Sequence, residues 1–165
     1  MIDFKTIAAS ALIATVAAAG ASAQTFTEYG SAGGWNVFTK TDDKTCVIET
    51  RREGLIVQMG ILANQDLGYI GAFTQETAEG LEQGNEFIID IDGDLFTAKE
   101  SVMEGNSQGY SGAFIKANNP AFISDIANKQ TMKVIDADRV FTLDLSGTKA
   151  AMDMGRECIM KANSN

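Results

Sequence analysis

The fold of this chain is decided by its last long segment, RVFTLDLSGTKAAMDMGREC, residues 139–158. If the first part of this segment is a strand, Phe141, Leu143 and Leu145 share one face, and that apolar face is expected to meet the core. The Ser-Gly pair at 146–147 then breaks the strand pattern. The segment therefore predicts a strand and a turn, followed by a helix.

Good helix formers occupy residues 149–160, and either Ser146 or Thr148 is expected to cap this helix by accepting a hydrogen bond from a free backbone N–H. One stripe of the helix carries small or apolar side chains at helical spacing. Its members are Ala151, Met154, Gly155 and Cys158. Small residues on such a stripe let a helix lie close to a sheet, so the stripe is expected to face inward.

The amino terminus has the three parts of a secretory signal peptide. Lys5 supplies a positive start, residues 7–19 are almost entirely apolar, and Ala-Ser-Ala at 21–23 is a cleavage site of the A-x-A type. A membrane anchor is the alternative, but the apolar run is short for a bilayer. We interpret residues 1–23 as a signal peptide and residues 24–165 as a single β-rich domain in the periplasm or outside the cell.

The chain has two cysteines, Cys46 and Cys158. Cys46 lies in an early predicted strand, where it shares a face with Ile48 and Thr50. Two cysteines in an exported chain usually pair, so we predict a Cys46–Cys158 disulfide that ties the final helix to the sheet. Two free thiols are the alternative.

The charge and the absence of histidine exclude several functions. A net charge of −9 opposes binding to nucleic acid and to anionic lipid surfaces. Without histidine, catalysis by Ser-His-Asp or Cys-His groups and zinc sites with histidine ligands are excluded. Carboxylates, lysine, tyrosine or a bound metal remain as catalytic routes, and no cofactor is indicated.

The hydrophobic pattern along the domain predicts a mainly β (α+β) fold. The predicted strands are 35–40, 46–52, 55–63, 68–74, 86–91, 94–99, 109–117, 131–136 and 140–145, and the helices are 120–129 and 149–160. Residues 24–34 are expected to be a loose start, and residues 100–108 a loop or a short strand. Because strands and helices do not alternate, we expect an antiparallel β-sandwich or a curved barrel with two short helices.

Three stretches resemble a known family: WNVF at 35–38, CVIE at 46–49 and VFTLDLSGTKAAM at 140–152. Together they are similar to exported proteobacterial proteins of the invasion-associated locus B type. The resemblance implies a small, secreted or periplasmic, β-rich accessory protein linked to the cell envelope or to host contact. It implies no catalytic residues.

Four side chains are candidates for ligand binding: Trp35, Arg51, Arg52 and Tyr110. Trp35 could anchor a ligand, although a lone tryptophan on an alternating strand is more often part of the core. The two arginines could contact an anion or a carboxylate, whereas a solvated strand end is the alternative.

The sequence DIDGD places Asp90, Asp92 and Asp94 around a hairpin turn, on what we expect to be a common face. The three carboxylates are a weak candidate for a calcium site. An EF-hand loop needs glycine at its sixth position and glutamate at its twelfth, whereas here the glycine is fourth and Ser101 is twelfth. We interpret the motif as a hairpin with an acidic rim.

These observations favour a non-enzymatic periplasmic or secreted module that binds a protein, a peptide or a small ligand. One alternative is a periplasmic inhibitor of a basic hydrolase such as lysozyme, with which the acidic charge is compatible. Another is a carboxylate-based hydrolase such as a glycosidase, which would need two acids facing one cleft.

Overall fold

The structure is a computed structural model that describes residues 26–40, 44–52, 55–75, 83–103, 109–136 and 139–164. The predicted signal peptide lies outside the described residues, so residues 1–23 keep that interpretation as a prediction.

The described residues form eleven strands and two helices. In chain order they are β1 (Phe26–Ala32), β2 (Trp35–Lys40), β3 (Thr45–Arg52), β4 (Leu55–Ile61), β5 (Leu67–Thr74), β6 (Glu86–Ile91), β7 (Asp94–Lys99), β8 (Ser101–Met103), β9 (Ser111–Lys116), α1 (Pro120–Asn128), β10 (Thr131–Asp136), β11 (Arg139–Asp144) and α2 (Thr148–Asn163). No helix among them is long and apolar enough to cross a membrane.

The strands make two antiparallel sheets, which confirms the predicted fold class. One sheet has the order β1-β2-β3-β4-β5-β9-β8, and the other has the order β11-β10-β6-β7. Both sheets are open, with edges at β1 and β8 in the first and at β11 and β7 in the second, so of the two predicted architectures the described residues form the sandwich.

One part of the sheet arrangement differs from the expectation. Strand β1 occupies most of the segment that we expected to be a loose start, and it pairs with β2. A bulge between Glu28 and Gly30 shifts its register, so its residues do not alternate regularly between apolar and polar. The short strand β8, one of the two forms expected for residues 100–108, pairs with β9 and carries the chain from the smaller sheet to the larger.

Helix α2 covers β1 to β4 on the inner face of the larger sheet, and the smaller sheet covers the rest of that face. Three of the four residues in the predicted stripe of α2 are buried, namely Ala151, Gly155 and Cys158, and the fourth, Met154, is half-buried and packs against the core. A Cβ atom added to Gly155 would lie 2.9 Å from side-chain atoms of Ile48 and Ile61, so this glycine lets the helix approach the sheet closely.

The predicted disulfide is confirmed. Cys46 on β3 is bonded to Cys158 on α2, with 6.2 Å between their Cα atoms. Both residues are buried, and Cys46 shares its face with buried Ile48 and Thr50 as expected. The covalent bond therefore joins the closing helix to the larger sheet from within the core.

The expected side-chain cap of α2 is wrong. The N-cap residue is Gly147, and no side chain caps the helix. Thr148 is buried, and its hydroxyl donates to the carbonyl oxygens of Ile126 and Leu145, which ties the start of α2 to α1. Helix α1 does have a side-chain cap, because the Asn119 side chain accepts a hydrogen bond from the Ala121 backbone N–H in the first turn.

Candidate functional site

A cleft of about 390 Å³ lies between the two sheets. Strands β4, β5 and β9 of the larger sheet form one wall, and β6, β10 and β11 of the smaller sheet form the other. This volume is within the range of sites that hold small molecules in proteins, about 300–1,000 Å³.

The cleft is open because two paired strands carry alanine where they face the smaller sheet. Strands β5 and β9 both contain Gly-Ala-Phe, at 71–73 and 112–114. In the antiparallel register Ala72 lies opposite Ala113, and each phenylalanine lies opposite the glycine of the other strand. Packed sheets stand about 10 Å apart, so two methyl groups leave space that larger side chains would fill.

The opposite face of these strands explains why both glycines are present. A Cβ atom added to Gly112 would lie 2.7 Å from the Phe73 ring, and one added to Gly71 would lie 2.9 Å from the same ring. The Phe73 side chain is buried. The two triplets therefore form one paired unit, in which glycine accommodates an aromatic ring on one face and alanine leaves the cleft on the other.

The cleft has a buried apolar part and a more accessible part. Its buried apolar lining consists of Val57, Ile70, Ile115, Met132 and Leu143. The side chains of Leu55, Phe87, Val134 and Phe141 also line it and are half-buried. Such a lining is chemically suited to apolar groups, because moving them out of water is favourable.

The described lining residues include one ionisable side chain, that of Glu100. Glu100 lies between β7 and β8, where the chain crosses from one sheet to the other, and its side chain is 6% exposed. Its backbone N–H donates to the Asn85 carbonyl over 2.8 Å, and its own carbonyl accepts from the Gly84 N–H over 2.9 Å. These two bonds fix the backbone where the chain crosses between the sheets.

The four predicted ligand-binding residues lie outside the described cleft lining. Trp35 is fully buried, and its indole N–H donates to the Ser146 carbonyl over 3.1 Å. Trp35 is therefore part of the core, which was one of the two roles that the sequence allowed. Arg51 and Tyr110 do come together, with 3.3 Å between the guanidinium and the hydroxyl oxygen. Arg52 is exposed at the end of β3.

The positive charge of Arg52 acts on the carboxyl group of Asp144. The pKa of Asp144 is lowered, first by hydrogen bonds from Ser146 and to a smaller extent by the positive charge of Arg52. The Ser146 backbone N–H lies 2.8 Å from the Asp144 carboxylate. An anion-binding role for Arg51 and Arg52 stays a prediction.

The three aspartates of DIDGD do not share a face, contrary to the expectation. Asp90 lies opposite Leu95, and Asp94 lies opposite Ile91, so the register sends these two carboxylates to opposite sides of the sheet. Asp92 accepts from the Gln130 backbone N–H over 2.7 Å. No group of three potential metal-ligating side chains is found among the described residues.

Lys129 is the partner of one carboxylate of this acidic rim, Asp94, and the sequence alone did not predict this contact. Its ammonium group contacts Asp94, lies 3.2 Å from Asp125 and donates to the Ile91 carbonyl over 3.0 Å. The hydrogen bond from Lys129 lowers the pKa of Asp94, and the same contact raises the pKa of Lys129. The carboxylates thus anchor the β6–β7 hairpin to the end of α1.

Replacing Lys129 with Gln is expected to lower the melting temperature near neutral pH. Since the folded-state pKa of Asp94 is depressed, the contact stabilises the protein above the ordinary carboxyl pKa, and this stability is lost as pH falls through the lowered pKa. The difference between variant and wild type should therefore shrink on acidification, as calorimetry across this pH range can measure.

Lys99→Gln is the matched control for this variant. Lys99 lies 3.2 Å from Glu86 at the other end of the same hairpin, with both side chains well exposed, so its loss should change the melting temperature little. A Lys129→Gln effect that does not vary with pH would contradict the assignment.

The structure is similar to the crystal structure of invasion associated protein B from Bartonella henselae. The TM-score is 0.53 at 11% sequence identity, and the match covers 86% of this chain and 99% of that chain. This chain has the fold of invasion associated protein B. The resemblance predicted from the two ends of the domain is therefore confirmed at the level of the fold. No protein-family model matches the sequence, and no curated protein matches it.

The likeness to invasion associated protein B concerns the fold alone. The sequence did contain one signal for the cleft between the sheets, namely the repeated Gly-Ala-Phe triplet at 71–73 and 112–114. The triplets are about forty residues apart in the sequence. They mark a cleft only because β5 and β9 are neighbours in the sheet, in the register that places Ala72 opposite Ala113.

Proposed function

We propose that the protein is an exported, non-enzymatic binding module that holds a small apolar ligand, or the apolar part of one, between its sheets. The observation that carries the proposal is the apolar cleft of about 390 Å³. Well-formed apolar clefts of this size with few polar groups are characteristic of small-molecule sites.

The disulfide supports a place outside the cytoplasm, because such bonds persist in oxidising compartments. The predicted signal peptide supports the same location, in the periplasm or the surrounding medium. A carboxylate-based hydrolase is less well supported, because such enzymes use two acids around the reacting bond and the described lining contributes Glu100 alone.

The proposal can be tested by titrating the purified protein with a neutral fluorescent probe such as N-phenyl-1-naphthylamine. The wild type is expected to raise the probe's emission in a saturable way. The double variant Ala72→Leu/Ala113→Leu places two larger side chains next to each other on the cleft wall, and it should weaken probe binding at least about tenfold, since even a pocket altered by one or two methylenes changes affinity by this order.

Thr97→Leu is the control, because it adds an apolar side chain at an exposed position of β7 outside the described cleft lining. It should leave probe binding unchanged. Thermal unfolding of each variant establishes that it is folded, and the single variant Ala72→Leu replaces the double one if the latter does not fold. Absence of saturable binding by the wild type, or equal binding by folded cleft variants, would refute the proposal.

A further inference from the structure

Resting on the proposed function, we infer that the ligand carries a single unbranched aliphatic chain of about ten carbons, and that the cleft measures the length of this chain. The chain enters tail first from the end of the cleft where the lining is half-buried. Its tip stops at a layer of buried side chains between the sheets, and the polar head of the ligand stays in water at the open end.

The larger sheet gives the cleft one open end and one closed end. Along β5, Thr74 and Ala72 are half-buried cleft-lining residues, and Ile70, further along the same face, is 3% exposed. On the neighbouring β4, Val57 lines the cleft, whereas Met59, the next residue on the same face, is fully buried and lies outside the described lining. The cleft therefore ends inside the sandwich.

The smaller sheet shows the same change in burial. Val134 and Phe141 lie opposite each other and are half-buried. The next pair along the same face is buried, as is the innermost cleft-lining pair of β5 and β9. These four residues of the hydrophobic core form the floor of the cleft: Ile70, Ile115, Met132 and Leu143.

The depth of the cleft matches the length of a ten-carbon chain. Thr74 at the open end and Ile70 in the floor are four residues apart on β5, which corresponds to about 13 Å along a strand. An extended chain of about ten carbons is roughly 11 Å long, because its single bonds of about 1.5 Å follow a zigzag.

The width of the cleft suits one chain. Spread over a depth of about 13 Å, the volume of about 390 Å³ leaves a mean cross-section of about 30 Å². A water molecule, which is close to a methylene group in size, takes about 30 Å³ of liquid volume, so the cleft holds roughly a dozen such groups. One extended chain fills this space, and two chains side by side exceed it.

The chemistry of the described lining favours contact with the chain over contact with a head group. Thr74 and Glu100, whose side chains carry the polar groups of this lining, already make interactions of their own within the protein. The floor is apolar, and each methylene that moves out of water tightens binding about fourfold. Affinity should therefore follow the number of methylenes that the cleft can bury.

The test is a length series of neutral 1-alkanols, from hexanol to dodecanol, each displacing N-phenyl-1-naphthylamine from the purified protein below the solubility limit of the alkanol. Wild type is expected to gain about fourfold in affinity per methylene up to about ten carbons. Further methylenes stay in water at the open end. 1-Dodecanol should therefore bind at most about twofold more tightly than 1-decanol, against about sixteenfold if both added methylenes were buried.

The shape of the ligand is tested with 1-adamantanol, which has as many carbons as 1-decanol in a compact cage. The cage is too short to reach from the open end to the floor, so it buries less apolar surface and should bind at least about tenfold more weakly than 1-decanol.

The floor is tested with Ile115→Ala, which removes three carbons at the closed end of the cleft. Longer chains then fit, so 1-dodecanol should bind at least about fivefold more tightly than 1-decanol in this variant. Leu95→Ala is the matched control, because it removes three carbons from a side chain that is 69% exposed on β7, outside the described lining. It should leave the length dependence of the wild type unchanged.

Three results would each overturn the inference: a constant gain per methylene up to dodecanol, 1-adamantanol binding as tightly as 1-decanol, or an unchanged length limit in folded Ile115→Ala. If Ile115→Ala does not fold, the wild-type series and 1-adamantanol decide. A probe that binds but is displaced by none of the alkanols would also overturn the inference while leaving the proposed function intact. Failure of the proposed function looks different, because the probe itself then does not bind.

Discussion

Removal of the Cys46–Cys158 disulfide in the double variant Cys46→Ala/Cys158→Ala is expected to lower the free energy of unfolding by about 4–5 kcal/mol. The two cysteines are 112 residues apart, and closing a loop of about this length restricts the unfolded chain by roughly that amount. For a domain of this size the loss corresponds to a fall of about 10–20 °C in melting temperature. Urea unfolding followed by the fluorescence of the buried Trp35 measures it.

The wild type treated with a reducing agent during unfolding should behave like this double variant, and the double variant itself should not respond to the reducing agent. This control separates loss of the cross-link from the loss of two buried sulfur atoms. A difference of less than about 1 kcal/mol between oxidised wild type and the variant would mean that the cross-link constrains the unfolded chain far less than its length predicts.

The unit from β11 to α2 could be predicted from the sequence because its signals are local. Leu143 and Leu145 lie on the buried face of the strand, as period-two alternation requires, and Ala151 and Gly155 lie on the buried stripe of the helix. The disulfide could be predicted as well, since a chain with two cysteines has a single intramolecular pairing, and the predicted export signal favours its oxidation.

The features that could not be predicted depend on contacts between distant residues. The cleft requires Ala72 and Ala113 to face each other, which follows from the pairing of β5 with β9 and not from either strand alone. The anchor of the acidic hairpin likewise joins Asp94 to Lys129, a residue at the end of α1. Strand alternation within each strand did not show that Asp90 and Asp94 would lie on opposite faces of the sheet, because that depends on the pairing of β6 with β7.

The wrong helix cap has a related cause. A threonine before a helix is usually read as an acceptor for the free backbone N–H groups. Here Thr148 is buried beside α1, and its hydroxyl shares its one proton between the carbonyl oxygens of Ile126 and Leu145. The packing of α1 against α2 therefore decided the role of the hydroxyl, and Gly147 became the residue that turns the chain into the helix.

Gly147→Ala is expected to destabilise the protein by roughly 2–5 kcal/mol, the sum of two costs. Gly147 has a φ of 82°, in the left-handed region that side chains disfavour by about 1–2 kcal/mol. An added Cβ atom would also stand 2.6 Å from the Cα atom of Gly33 in the β1–β2 turn, and closer still to its carbonyl oxygen. Because the obstacle is backbone, the turn between β11 and α2 would have to move away from the larger sheet.

The variant Gly34→Ala, next to Gly33 in the β1–β2 turn, separates the conformational cost from the steric cost. Gly34 has a φ of 84°, almost the same as that of Gly147, but an added Cβ atom there would meet nothing within 4 Å. This variant should therefore lose only the conformational part, about 1–2 kcal/mol. Equal losses for the two variants in urea unfolding would show that the close approach of Gly33 and Gly147 relaxes without cost. A clearly larger loss at Gly147 would show that the β1–β2 turn and the start of α2 are held together by direct backbone contact.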